Sequence, residues 1–223
     1  MKKKVISDIR LYKSDTIDAL GYSFGDKKLN AIVRRVVMKL RENKFSFGDF
    51  DHLYINFTPC SLPGRMYLSD KANPYSPWFR CCAVQLEEDV YHNLGAPETY
   101  DDIIRRIGDI LVAYFTAEDF DEARILSCVR QATEEGEEML MKFKEKASAK
   151  RKAVIYLRFL DTCKYCPILR VYDLEEHLLF EKDLPETVTL DDLGELQVST
   201  KRVAIKPRKN AYTTKSVPLV FEY

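Results

Sequence analysis

The sequence predicts an α+β protein: an N-terminal mixture of strands and helices with two consecutive central helices, then a C-terminal antiparallel β-meander. Three observations predict it. Apolar residues recur at helical spacing over 26–43 and again after 100. From 151 onward the chain breaks into β-branched and aromatic segments separated by turn-prone stretches. Strands and helices do not alternate regularly as a doubly wound parallel sheet requires.

In order along the chain, residues 4–13 suggest a short strand. "DKKLNAIVRRVVMKLREN" at 26–43 places Leu29, Ile32, Val33, Val36 and Leu40 on one buried stripe, with Lys27, Lys28, Arg34, Arg35, Lys39 and Arg41 over much of the rest. "DHLYINF" at 51–57 alternates, Leu53, Ile55 and Phe57 against His52, Tyr54 and Asn56, as a half-buried strand does. Residues 58–78 read as a long loop, because Pro59, Pro63, Pro74 and Pro77 remove ladder donors. "FRCCAVQL" at 79–86 resumes as a strand. Thr99 with Asp102 and Thr116 with Asp119 resemble capping boxes that open helices at about 100–115 and about 117–147. Gly136 is expected to bend or break the second of these.

With 223 residues and 46% hydrophobic content the chain can bury a core as a single domain over 1–223, with "KEKASAKRK" at 144–152 as a candidate subdomain junction. Thirteen Tyr and twelve Phe against eight Gly argue against disorder. The basic start "MKKKVISDIR" lacks an apolar h-region, and runs such as "ILVAYF" at 110–115 are far below the roughly 20 residues that span a bilayer. A soluble, cytoplasmic protein is expected. Thirty-five basic residues balance 35 acidic ones, but unevenly: 12 against 6 over 1–50, 17 against 28 over 51–200, and 6 against 1 over 201–223. The neutral whole disfavours a nucleic-acid binder.

The six cysteines, one adjacent pair among them, fit reduced thiols better than a disulfide scaffold. The sharpest chemical motif is Cys163-x-x-Cys166. A thioredoxin-like centre needs a helix after the motif to lower the thiol pKa, whereas Pro167, Ile168, Leu169 and Val171 resemble a strand. A structural zinc site needs about four ligands, and Cys60, Cys81, Cys82, Cys128, His52, His92 and His177 are scattered. Cys163 and Cys166 therefore read as thiols flanking a turn between two strands, and no metal, cofactor or catalytic residue is assigned. P-loop, GxGxxG, HExxH, GxSxG and EF-hand patterns are absent.

What remains is recognition. The 58–80 stretch carries Arg65, Tyr67, Tyr75, Trp78 and Arg80, the residue types that dominate binding hot spots, followed by the acidic Glu87, Glu88 and Asp89. The leading expectation is a non-enzymatic protein that binds another protein through these residues, in its narrower form a bacterial immunity protein neutralising a toxin domain. One alternative is an enzyme near the 58–80 loop using His52, His92, Arg65 and the carboxylates at 87–89. Another is nucleic-acid binding through the 27–41 helix and the 201–215 segment, which requires their basic residues to form one stripe.

Overall fold

Strands gather into four sheets and helices cluster in the first half of the chain, a mixed α+β architecture with strands at the carboxyl terminus. The structure, a computed structural model, describes residues 3–17, 20–70, 75–210, 213 and 216–223. It divides into two compact units, Met1–Gly136 and Glu137–Tyr223.

The first unit runs β1 (Lys4–Val5), β2 (Asp8–Lys13), β3 (Tyr22–Ser23), α1 (Lys27–Glu42), β4 (Ser46–Gly48), β5 (His52–Thr58), β6 (Met66–Leu68), β7 (Phe79–Gln85), α2 (Glu88–His92), α3 (Tyr100–Phe115) and α4 (Glu122–Glu134). A five-stranded sheet has the order β3-β2-β5-β7-β6, while β1 and β4 pair separately. Its three central strands, β2, β5 and β7, are parallel, and β3 and β6 close the edges antiparallel. One sheet face is largely apolar: Ile9, Leu11, Leu53, Ile55, Phe57, Cys82 and Val84 are all buried, with Arg80 beside Leu53 as a buried charged member of the same face.

Several expectations change here. The 51–57 strand is not half-buried: from Leu53 to Thr58 every residue is buried, because β5 is the central strand and aromatic side chains from its neighbours lie over the second face. The 58–78 stretch is not a continuous loop, since β6 forms within it and pairs with β7. Pro63 starts a 3-10 turn rather than interrupting a ladder, and Pro74 lies outside the described residues. Helix α1 matches its predicted span, capped by Asp26, whose side chain accepts from the Leu29 amide at 2.9 Å. Its buried surface is wider than one stripe and includes Arg35, because α1 packs against both β2 and α4.

Neither predicted capping box forms. The Thr99 hydroxyl donates to the Ala96 carbonyl at 2.7 Å, outside the helix it was expected to cap. The Thr116 hydroxyl donates to the Val112 carbonyl at 2.7 Å, and the next helix is capped instead by Asp121, which accepts from the Arg124 amide at 2.9 Å. That helix stops at Glu134 rather than near 147. Gly136 takes φ 54°, a left-handed conformation natural to glycine, and Met139, Leu140 and Phe143 fall beyond the break.

The second unit is all strand and short turn: β8 (Met141–Ala147), β9 (Lys152–Phe159), β10 (Tyr165–Tyr172), β11 (Leu178–Asp183), β12 (Glu195–Val198), β13 (Arg202–Lys206) and β14 (Leu219–Glu222). Consecutive strands pair antiparallel as β11-β10-β9-β8 and β12-β13-β14, the meander that the segment spacing predicts. Residues 144–152 form the β8–β9 hairpin. The two sheets touch through their edge strands: Lys144 on β8 donates to the Leu193 carbonyl, just before β12, at 2.6 Å, and Phe180 on β11 meets the rings of Phe221 on β14 and of Tyr223.

Candidate functional site

Parallel pairing of β2, β5 and β7 aligns residues that lie far apart in sequence. On the face opposite the apolar core, one row joins Asp8, His52 and Phe79, the next Arg10, Tyr54 and Cys81, and a third Tyr12, Asn56, Ala83 and, through β6, Tyr67. Side chains two apart along a strand share a face, so these rows make one surface.

An aromatic cluster occupies its centre. Tyr54 and Phe79 stack with ring centroids 4.3 Å apart and planes 16° from parallel, and Tyr12 lies 5.5 Å from Tyr54. The Arg10 guanidinium sits over the Tyr54 ring at 5.4 Å, and its Nε donates to the Asp8 carboxylate at 2.8 Å. That hydrogen bond is the main reason the Arg10 pKa rises above its ordinary range. Burial pushes the Tyr54 phenol up, partly offset by the nearby Arg10 charge and a hydrogen bond with Trp78. Two ring contacts, a cation over a π face and a charge-assisted hydrogen bond thus hold an Arg/Tyr/Phe surface whose Arg10 edge remains exposed.

The predicted site residues divide into two groups. Trp78 and Tyr75 lie before the amino end of β7; Trp78 is 43% exposed and Tyr75 91%. The Trp78 carbonyl accepts from the amides of Asp51 and His52 at 3.0 and 3.1 Å, which fixes the backbone carrying the indole. Tyr67, 49% exposed, stands on edge strand β6. Arg65 pairs with Glu87 across exposed surface at 2.5 Å, and exposed Glu88 and Asp89 occupy the first turn of α2, at the carboxyl end of β7. The seven residues of β7 span about 20 Å, so the acidic trio and Trp78 are not neighbours.

Arg80 belongs to neither group. It is 7% exposed, pairs with Asp49 at 2.9 Å, donates to the carbonyls of Pro77 and Phe79, and stacks over Phe50 at 5.0 Å. Sequence reasoning passed over Arg10, Tyr12, Tyr54 and Phe79. The alternation of polar and aromatic residues opposite Leu53 and Ile55 was their only signal, and the partners across the sheet became visible with the register.

Of the groups expected of an enzyme, Arg65 pairs with Glu87 and His92 lies 3.8 Å from Glu88, but His52 stands apart from them. His52 opens β5, its Nδ1 2.7 Å from Asp51, while His92 ends α2 beyond the carboxyl end of β7. β5 and β7 pair, and their parallel arrangement puts the two rings at opposite ends of the sheet. Among the described residues, no three His, Cys, Asp or Glu side chains group as metal ligands. Cys163, at φ 62°, lies in the β9–β10 turn and Cys166 on β10, so the motif flanks a turn between strands, with no helix after it. The Cys166 thiol lies 3.5 Å from the Arg158 guanidinium, and all six cysteines are free thiols.

For the basic stripe, Arg34 donates to the Ser7 carbonyl at 3.2 Å, Arg35 is buried and Lys39 pairs with Glu42 at 2.9 Å, so half of the α1 cations considered are turned to internal contacts. In the 201–215 segment, Arg202 and Lys206 lie on β13 and Arg208 is 3.5 Å from Asp191, while 211, 212, 214 and 215 lie outside the described residues. Among the described residues no helix is long and apolar enough to cross a membrane. No protein-family model, curated protein or solved structure matches the chain.

Proposed function

We propose that this chain is a non-enzymatic binding protein that engages another protein through the aromatic face of its five-stranded sheet and the adjoining Trp78, Tyr75 and Tyr67. The observation that carries the reading is the junction of a braced Arg10/Tyr12/Tyr54/Phe79 cluster with Trp78, an exposed indole on a fixed backbone. Large rigid side chains with a polar tip lose little conformational entropy on binding and bury much area, which is why they dominate interface energetics. The narrower form is an immunity protein that neutralises a basic toxin domain. Exposed Glu88 and Asp89, beside Glu87, would speed encounter with such a partner without supplying most of the affinity.

Trp78 is the single tryptophan of the chain, so its fluorescence reports on the proposed surface alone. A photo-crosslinking residue at position 75, used in cells that make both this chain and the product of its neighbouring reading frame, is expected to trap one protein at one-to-one stoichiometry. The purified pair is expected to shift the Trp78 emission to the blue. A variant carrying Tyr67→Ala, Tyr75→Ala and Trp78→Ala should lose the complex while unfolding at nearly the same temperature. A partner that binds this variant as tightly as the unmodified chain would exclude the proposed surface.

A further inference from the structure

A second feature lies where β2 ends, at the carboxyl end of the parallel strands, whereas Trp78 precedes their amino end. A cleft of about 480 Å³ is lined there by Lys13, Ser14, Asp15, Thr16, Tyr91 and His92, among others. Its size is within the range of small-ligand sites, and it opens outside the carboxyl ends of parallel strands, where ligands of α/β sheets commonly bind. The Ser14 amide still donates to the Phe57 carbonyl at 3.0 Å, so the sheet fixes the start of the cleft wall.

The arrangement of charge is unusual. Lys13 and Asp15 share the cleft, yet among the described residues neither forms an ion pair, with the other or elsewhere. A buried tyrosine holds both. The Tyr91 hydroxyl donates to Asp15 Oδ1 at 2.9 Å, while the Lys13 ammonium sits over the Tyr91 ring at 5.3 Å. Asp15 is fixed from a second side, its carbonyl accepting from the Cys60 thiol at 3.1 Å, and the Cys60 amide donates to Thr58 Oγ1 at 3.2 Å. Burial, reinforced by Asp15, pushes the Tyr91 phenol up to about 12, so it stays a donor throughout the neutral range. One oxygen of Asp15 is thereby occupied, and among the described residues no hydrogen bond reaches the other. His92, on the rim, lies 3.8 Å from Glu88.

We propose that this cleft binds a small zwitterion of the amino-acid class, its carboxylate on Lys13 and its ammonium on Asp15. Two opposite charges kept from collapsing onto each other match a ligand that presents the complementary two. A simple anion would meet the repulsion of Asp15, and a simple cation that of Lys13.

The test is a titration of the full ¹⁵N-labelled chain with each of the standard free amino acids, with acetate and methylammonium as probes of the separate halves. At least one amino acid is expected to move the amide resonances of Ser14, Thr16 and His92 saturably, with affinity about tenfold or more above either half-probe. Lys13→Met keeps the apolar stem, and Asp15→Asn keeps an acceptor for Tyr91. Each should weaken binding roughly tenfold while leaving the rest of the spectrum in place. Acetate binding as tightly as the best amino acid, undiminished binding by Asp15→Asn, or no saturable shift with any amino acid would each overturn the proposal. Should a variant fail to fold, the comparison of amino acid with half-probes on the unmodified chain still decides.

Discussion

The two faces of the five-stranded sheet are made by alternate residues of the same strands and do opposite things. On the inner face Leu53, Ile55 and Phe57 are fully buried, mostly against apolar neighbours that require no orientation, Arg80 beside Leu53 being the exception. On the outer face Tyr54 must satisfy a hydroxyl, Arg10 must keep a carboxylate, and the rings adopt defined mutual angles. Burial without direction builds a fold. Directional groups held ready at a partly exposed face are what recognition needs, and they contribute less to stability because water competes for them.

Core truncation should show the largest difference. Ile55→Ala removes buried methyl groups from the centre of the sheet and is expected to lower the unfolding free energy by about 3–4 kcal/mol. Tyr12→Ala, on the half-buried outer face, should cost about 1 kcal/mol. Urea unfolding of both variants checks this, and equal costs would mean that the outer face is a second core.

The two stacked arginines sharpen the contrast at the next size of effect. Arg80→Met removes a nearly buried guanidinium from Asp49, two backbone carbonyls and the Phe50 ring, at an expected cost of about 2 kcal/mol in stability. The figure is below that of a fully buried pair because Asp49, 40% exposed, regains water. Arg10→Met should change stability by about 0.5 kcal/mol, since half of its side chain is already hydrated. Its effect belongs in binding, where loss of about 2 kcal/mol, a roughly 30-fold rise in Kd, is expected for the partner captured through position 75. If Arg10 proves the more important for stability and Arg80 for binding, the assignment of the faces is reversed.

How far the sequence carried this picture depends on whether a feature is local. Helix α1 was legible because its 3.6-residue apolar period lies within one short window, and the C-terminal strands because each is a compact run of β-branched and aromatic residues. The second central helix was drawn too long because Met139, Leu140 and Phe143 continue an apolar spacing that Gly136 has already ended. Thr116 and Asp119 had the spacing of a capping box, but a tight turn pairing Ala117 with Phe120 uses that stretch instead, and Asp121 takes over as the cap. Trp78, Tyr75 and Tyr67 could be chosen on residue type alone. Arg10 and Tyr12 could not, because their significance comes from lying beside Tyr54, some 40 residues later, in a parallel register that no local pattern encodes. Arg80 was misplaced for the converse reason. Nothing around it in sequence announces that Asp49 and Phe50 will enclose it.

The smallest effect tests the faces at neighbouring positions. Cys81 aligns with Tyr54 on the outer face and is partly accessible, whereas Cys82 is fully buried among the inner apolar residues. Burial raises both thiols, Cys82 to about 12 with Cys81 adding to the shift. In the unfolded chain a cysteine titrates at about 8.5. As pH rises past that value the unfolded state loses the Cys82 proton while the folded state keeps it. The unfolded state then binds fewer protons, so the stability contribution present below that pH declines until the folded thiol titrates near 12. Cys82→Ala removes this term, and its urea midpoint should fall less steeply between pH 8.5 and 10 than that of the unmodified chain, the tyrosines of the unfolded state, which titrate at about 10, being common to both. Cys81→Ala should flatten the curve less, and in the native protein a soluble disulfide reagent should modify Cys81 well before Cys82. Equal slopes and equal reactivity would place both thiols in one environment, which the alternation of a single strand between two unlike faces forbids.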